Sequence, residues 1–130
     1  MSNELTKVEN NAISMIKSHD IGVLIKPMIR DIHLFDTYVA GTTHLDDPSV
    51  LERILVGDEL TLQREDNPFD QKAILVLNKQ KQKIGYIPER DNIIFSRLMD
   101  AGKMLKAKIT KISQKDWYTR ISIGIYLVDL

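Results

Sequence analysis

The sequence predicts a mainly β domain: a small barrel or sandwich of about six short strands, accompanied by two or three helices. Short runs in which apolar and polar residues alternate have the period of half-buried strands. Turn residues separate these runs at short intervals, which is typical of small all-β architectures. One stretch between the fourth and fifth runs instead repeats its apolar residues at helical spacing, which fits a helix that caps or plugs a barrel.

Residues 1–31 are expected to form a helical extension that precedes a β domain of residues 32–130. Helical spacing extends from Leu5 to Ile16, and Thr6 to Glu9 fits a capping pattern. Packing against the β domain is the favoured role for this helix, and docking onto a protein partner or a second copy is the alternative. The apolar run Ile21 to Ile25 fits either a helical turn or a strand.

The first half of the β domain contains two expected strands with a short helix between them. Ile32 to Thr43 suits a strand, and Glu59 to Glu65 alternates cleanly. Between them, Asp47 is placed to cap a helical segment with Pro48 at its first position and Val50 to Leu55 in its turns.

The second half is expected to contain a hairpin, a helix and two further strands. Ala73 to Leu77 and Lys83 to Ile87 flank a polar turn, which predicts the hairpin. Asp91 to Ala101 predicts a helix that ends at a glycine and buries one apolar face, consisting of Ile94, Phe95, Leu98 and Met99. Leu105 to Ile112 and a final alternating run, Ile121 to Leu127, predict two strands joined by a turn at Gln114 to Trp117.

Composition limits the classes of function. Lys and Arg (18) balance Asp and Glu (18), so an anionic partner must meet a local patch and not a global positive field. The absence of cysteine excludes disulfides, thiolate metal sites and a cysteine nucleophile. Residues 1–17 contain no continuous apolar stretch, so neither a signal peptide nor a membrane span is expected and the cytoplasm is the expected location.

No pattern in the sequence indicates an enzyme or a bound cofactor. The three histidines, His19, His33 and His44, have no metal-binding spacing, and no phosphate-binding loop or nucleophile elbow is present. We therefore expect no catalytic residues, no metal and no cofactor. A metal-dependent nuclease is the least favoured hypothesis, because no spacing forces its candidate carboxylates together: Asp46, Asp47, Glu65 and Asp66.

The most informative stretch extends from Gly57 to Pro88. It combines Asn67-Pro68-x-Asp70, Ala73-Ile74-x-Val76 and Gly85-Tyr86-Ile87-Pro88 in one order. Together with Gly57-Asp58 and Arg64-Glu65 in the same stretch, and with Val39-Ala40-Gly41 before it, these motifs resemble the HIRAN family, which occurs alone in bacteria and at the front of some eukaryotic DNA-repair helicases. The resemblance covers residues 39–128.

The resemblance implies an OB-type β-barrel that binds the 3′ end of single-stranded DNA, with aromatic residues that stack on bases and an aspartate that holds the terminal hydroxyl. By position, Phe69 takes the place of the stacking residue and Asp70 that of the aspartate. From the residues alone, a turn role for Asp70 is equally compatible. The remaining DNA-binding positions implied are Thr43, His44, Tyr86 and Tyr118.

Departures from the family pattern reduce the charge of the implied site. Thr43 replaces an arginine that would meet phosphate, while Phe69 keeps a stacking face but lacks a hydroxyl. Candidate compensating cations are Arg64, Lys72, Arg90 and a lysine stripe that consists of Lys103, Lys106, Lys108 and Lys111. The stripe is more simply interpreted as the solvated side of a strand. The leading hypothesis is a single-stranded DNA-binding module of DNA repair or processing, and the alternative is a protein-interaction module.

Overall fold

The computed structural model describes residues 30–129, and residues 31–128 form one compact unit. The predicted N-terminal helix, Leu5 to Ile16, and the run Ile21 to Ile25 lie outside the described residues, so the helical extension stays a prediction. Within the described range no helix is long and apolar enough to cross a membrane.

Six strands form a single sheet in the described part of the chain, in the order β1-β6-β5-β2-β3-β4. The strands are β1 (Arg30–Tyr38), β2 (Glu59–Arg64), β3 (Ile74–Leu77), β4 (Lys83–Tyr86), β5 (Leu105–Lys115) and β6 (Tyr118–Asp129). The pairs β2–β3, β2–β5, β3–β4 and β5–β6 are antiparallel. The helical segments are α1 (Asn92–Asp100) and two 3-10 segments, Thr42–His44 and Pro48–Arg53. The mainly β prediction with about six strands is therefore confirmed.

The sheet is not closed into a barrel by a continuous ladder. A single bridge instead links Ala40, just after β1, to Tyr86 at the end of β4. Each residue donates its backbone N–H to the carbonyl of the other at 2.8 Å, and the Val39 N–H donates to the Ile121 carbonyl in β6 at 2.9 Å. The segment after β1 thus connects β6 to β4 and brings the two ends of the strand order together at one point.

The core is formed by the inward-facing residues of the alternating strands. Burying one such aliphatic side chain contributes about 1.5–3 kcal/mol, and eight Val, Leu and Ile side chains of the strands are no more than 2% exposed: Leu60, Ile74, Val76, Ile84, Ile109, Ile121, Ile123 and Ile125. Helix α1 covers this core with Phe95. The expectation that Ile94 is buried is wrong, because Ile94 is 64% exposed and the polar residues Asn92 and Ser96 are buried beside Phe95.

Two predicted boundaries are wrong. The first strand ends at Tyr38, and Thr42–His44 forms a 3-10 turn after Gly41, whose left-handed φ of 78° breaks the extended chain. The β5–β6 turn is only Asp116-Trp117, since the ladder continues to the pair Lys115–Tyr118. The capped helical segment after Asp47 is confirmed, because its carboxylate accepts the Ser49 N–H at 3.1 Å.

Candidate nucleic-acid interface

The loop between β2 and β3 is held by two successive side-chain turns. Asn67 Oδ1 accepts the Phe69 N–H at 2.8 Å, and Asp70 Oδ1 accepts the Lys72 N–H at 2.9 Å. Such bonds imitate a backbone turn and fix the path of the chain. The Phe69 side chain is left 95% exposed, which makes it a large apolar face presented to solvent.

Arg64 fastens this loop to the rest of the domain. Its guanidinium donates to the carbonyls of Ala73 at 2.6 Å and Gln71 at 2.7 Å. It also donates to the Asp100 carboxylate in α1 at 2.9 Å, and this bond holds the pKa of Asp100 below its usual value. Arg64 therefore organises the loop, and four of its five N–H donors are bonded within the protein, which leaves it little capacity to meet DNA.

Asp70 is tied to the start of α1 as well as to its own loop. Its Oδ2 accepts a hydrogen bond from Asn92 Nδ2 at 2.8 Å. Asn92 is 1% exposed, and its Oδ1 has no partner among the described residues. Each carboxylate oxygen of Asp70 has a second lone pair, so the carboxylate is positioned by the fold and still has acceptor capacity.

Asp70 lines an open cleft between the loop, the end of β4 and the segment after β1. We call it the carboxylate cleft; it has a volume of about 260 Å³ and is lined by Ala40, Gly41, Asn67, Asp70, Ala73, Tyr86, Ile87 and Glu89. Ala40 and Tyr86 both line it, so the hydrogen bonds that connect the sheet ends also hold two residues of the cleft together.

Tyr86 is fixed within this cleft by polar contacts at its hydroxyl. The hydroxyl donates to Glu65 Oε1 at 2.8 Å, and Asn67 Nδ2 donates to the same oxygen at 2.9 Å. Lys83 Nζ lies 3.2 Å from the hydroxyl and 4.5 Å from the ring centroid. The ring orientation is thus set before any ligand arrives, which lowers the entropic cost of binding.

A second cleft adjoins the first, and Ala40 and Gly41 line both. We call it the guanidinium cleft; it has a volume of about 460 Å³ and is lined by Tyr38, Val39, Ala40, Gly41, Thr42, Thr43, Arg90, Trp117, Tyr118 and Arg120. Trp117 is 78% exposed at the β5–β6 turn, with its ring centroid 5.1 Å from that of Tyr118. Aromatic faces and cations beside one another are the combination that single-stranded nucleic acids bind.

The structure brings four of the six predicted DNA-binding residues to these two clefts. Asp70 and Tyr86 line the carboxylate cleft, and Thr43 and Tyr118 line the guanidinium cleft. Phe69 and His44 are exposed and line neither cleft.

Sequence reasoning missed Tyr38, Trp117 and Arg120 as residues of the site. One signal for Arg120 was present, since residues two apart on a strand share a face and Tyr118 and Arg120 are so spaced in β6. Tyr38 was interpreted only as one residue of the expected strand Ile32 to Thr43, so it was not considered as a site residue.

None of the four lysines of the stripe lines either cleft, and two of them, Lys106 and Lys108, form ion pairs among the described residues. Lys106 Nζ lies 2.9 Å from Asp31 and 2.6 Å from Glu59, and these bonds raise the pKa of Lys106. Lys108 Nζ lies 3.1 Å from Asp31. The interpretation of this stripe as a sheet surface is therefore supported for Lys106 and Lys108.

The carboxylates of the nuclease hypothesis do not converge. Among residues 30–129, no group of three or more histidine or carboxylate side chains is placed to hold a metal ion. Asp47 is engaged in capping its 3-10 segment, and Glu65 accepts the Tyr86 hydroxyl.

The fold and the clefts define a class of protein: residues 30–129 form a small β domain of six strands with two adjoining clefts lined by aromatic and polar residues. The HIRAN domain family model matches residues 32–128, and the chain belongs to this family. A crystal structure of a protein from Lactobacillus plantarum is similar at 29% identity and a TM-score of 0.72, over 78% of this chain and 99% of that one.

The crystal structure of the HIRAN domain of human HLTF is similar at 16% identity and a TM-score of 0.61, over 77% of this chain and 78% of that one, which supports the fold. No curated protein matches the chain.

Proposed function

We propose that this protein is a non-catalytic module that binds the 3′ end of single-stranded DNA during DNA repair or processing. Membership of the HIRAN family supports nucleic-acid binding in general. The observation that carries the finer proposal is that the two clefts adjoin each other and share Ala40 and Gly41 in their linings. One cleft offers a positioned carboxylate, and the other offers aromatic faces and two guanidinium groups.

A sugar hydroxyl suits the carboxylate cleft better than a phosphate does. Asp70 and Glu89 both line it, and two carboxylates repel a terminal phosphate while either can accept a hydrogen bond from a hydroxyl. A hydrogen bond to a charged group contributes about 1.5–3 kcal/mol, which corresponds to a preference of at least about tenfold for a 3′ hydroxyl over a 3′ phosphate.

The test is fluorescence-anisotropy binding of a short single-stranded DNA with a 3′ hydroxyl, beside the same strand with a 3′ phosphate. Asp70→Asn should reduce the preference for the hydroxyl because it removes the charge that repels phosphate. The protein should still fold, because the new amide oxygen can accept the Lys72 N–H, and a 180° turn of the Asn92 side-chain amide would bring its unpaired Oδ1 to the new NH2 group in place of the Nδ2 that now donates to Asp70.

Asp66→Asn is the matched control, because Asp66 is an exposed carboxylate of the same loop that lines neither cleft. Equal affinity of the wild-type protein for both strands would refute recognition of the 3′ end. Absence of binding to either strand would refute nucleic-acid binding itself and favour the protein-interaction alternative.

A further inference from the structure

Tyr38 lies at the end of β1 between two guanidinium groups. Arg120 Cζ is 4.7 Å and Arg90 Cζ is 5.3 Å from the centroid of its ring. Both distances are within the range of cation–π attraction. Arg120 comes from β6 and Arg90 from the segment between β4 and α1, so the fold gathers these cations from distant parts of the chain.

The two guanidinium groups have donors to spare. Arg90 is 69% exposed, and its Nε lies 3.7 Å from Asp91 Oδ2, an oxygen that already accepts the Thr37 hydroxyl at 2.7 Å. Within residues 30–129, no carboxylate forms an ion pair with Arg120. Contact with the ring of Tyr38 restrains both side chains, so less freedom is lost when they bind an anion.

The surroundings decide on which side of Tyr38 an anion is favoured. Tyr38, Arg90 and Arg120 also line a neighbouring cleft of about 590 Å³, but Asp36 and Asp91 line that cleft too and would repel an anion. No carboxylate of the described residues lines the guanidinium cleft. An anion beside Tyr38 is therefore repelled less in the guanidinium cleft than in the neighbouring cleft.

We propose that Arg90 and Arg120 form a phosphate subsite for the backbone of the strand whose hydroxyl end occupies the carboxylate cleft. This inference rests on the proposed function. The planar guanidinium matches two phosphate oxygens at once, which makes arginine well suited to the role. The opposite charges of the two clefts set the direction of the strand: its uncharged end lies at Asp70, and its charged backbone runs toward Arg120.

The test compares an ordinary DNA strand with strands in which single phosphates near the 3′ end are replaced by uncharged methylphosphonates. Binding is measured by fluorescence anisotropy over a series of salt concentrations. Arg120→Gln should weaken binding of the ordinary strand roughly 5- to 10-fold. It should also reduce the magnitude of the salt slope by about 0.7 for each phosphate that the variant no longer neutralises. Arg90→Gln should behave in the same way.

The methylphosphonate strands identify the phosphate that the arginines bind. Neutralising that phosphate should weaken binding to the wild-type protein and remove the difference between the wild-type protein and Arg120→Gln. A loss of affinity in Arg120→Gln that stays the same on every methylphosphonate strand would overturn the proposal, because the arginine would then act only through the structure around Tyr38.

Arg97→Gln is the matched control, because Arg97 lies on the exposed side of α1 and lines neither cleft. If the wild-type protein binds DNA but Arg120→Gln and Arg97→Gln have the same affinity and salt slope, the phosphate subsite is wrong and the proposed function stands. If the wild-type protein does not bind the ordinary strand, the proposed function fails and the subsite fails with it.

Discussion

Gly85 in β4 is the position at which one added methyl group should do most damage to the fold near the clefts. A Cβ there would overlap the Ala40 carbonyl oxygen and lie 2.5 Å from Val39 Cγ1. The Ala40 carbonyl accepts the Tyr86 N–H at 2.8 Å, so it has little freedom to move away. Gly85→Ala should therefore separate the segment after β1 from β4 and open the single bridge between the ends of the strand order.

The expected cost of Gly85→Ala follows from two contributions. The loss of the two bridge hydrogen bonds should cost about 0.5–1.5 kcal/mol each. Forcing the methyl group into a filled space typically costs a further 1–3 kcal/mol or so. Together these amount to about 2–6 kcal/mol, a large part of the roughly 5–15 kcal/mol by which a domain is stable.

Urea unfolding followed by circular dichroism measures this loss, with Gly57→Ala as the control. Both glycines have a positive φ, 155° at Gly85 and 94° at Gly57, but a Cβ at Gly57 would meet nothing within 4 Å. Gly57→Ala should therefore cost only the left-handed backbone strain, about 1–2 kcal/mol. If Gly85→Ala is no more destabilising than Gly57→Ala, the close approach of β4 to Ala40 does not contribute as described.

Two further predictions concern charged groups. Arg64→Lys keeps the charge but cannot bond both the Ala73 carbonyl and the Asp100 carboxylate in the same forked geometry; it should lower the free energy of unfolding by about 1–3 kcal/mol, measured by urea unfolding. The Lys79 ammonium, 3.0 Å from Asp58, holds the pKa of that carboxyl below its usual value of about 3.9. A lowered folded-state pKa gives stability that is present above the unfolded-state pKa and lost as pH falls through the folded-state pKa. The free energy of unfolding, measured at pH 7 and at about pH 3, should therefore fall less between the two pH values in Asp58→Asn than in the wild-type protein.

Most strands could be predicted from the sequence, because their inward-facing residues alternate with polar ones over the buried length. The prediction failed where the ladder extends beyond the core. Gln114 pairs with Thr119 and Lys115 with Tyr118, so β5 and β6 continue through polar residues that carry no hydrophobic pattern. The predicted turn between β5 and β6 consequently began at Gln114, two residues before the observed turn. The exposure of Ile94 was missed for a related reason, since helical spacing does not show which side of α1 faces the sheet.

The order of the strands in the sheet could not be predicted from local sequence patterns. Neighbouring strands such as β3 and β4 follow each other in the sequence, but β2 pairs with β5 through partners such as Leu60 and Ala107. The bridge between Ala40 and Tyr86 is likewise distant in sequence. Such pairings depend on how two sheet edges meet, and a hydrophobic period of two does not specify a partner strand.

The candidate site was predicted where a motif carries it and missed where only the fold assembles it. Asp70 and Tyr86 lie in motif segments, and both line the carboxylate cleft. Arg90 was named only as one of several nearby cations, and Tyr38 was not named as a site residue. Their proximity to Arg120 depends on the end of β1 lying beside β6 and the segment before α1, which no spacing in the sequence expresses.

The zero net charge of the chain and the proposed binding of an anionic strand are compatible because the cations are unequally neutralised. Lys106 and Lys108 pair with carboxylates on the sheet, and Arg64 is bound to Asp100 and to loop carbonyls. Arg90 instead has only a contact of 3.7 Å with Asp91, and Arg120 has no carboxylate partner within residues 30–129. Both contact the Tyr38 ring beside a cleft without described carboxylates. A chain with balanced charges can therefore present a local positive patch. Such a patch strengthens binding once the DNA is close and adds little to its long-range attraction.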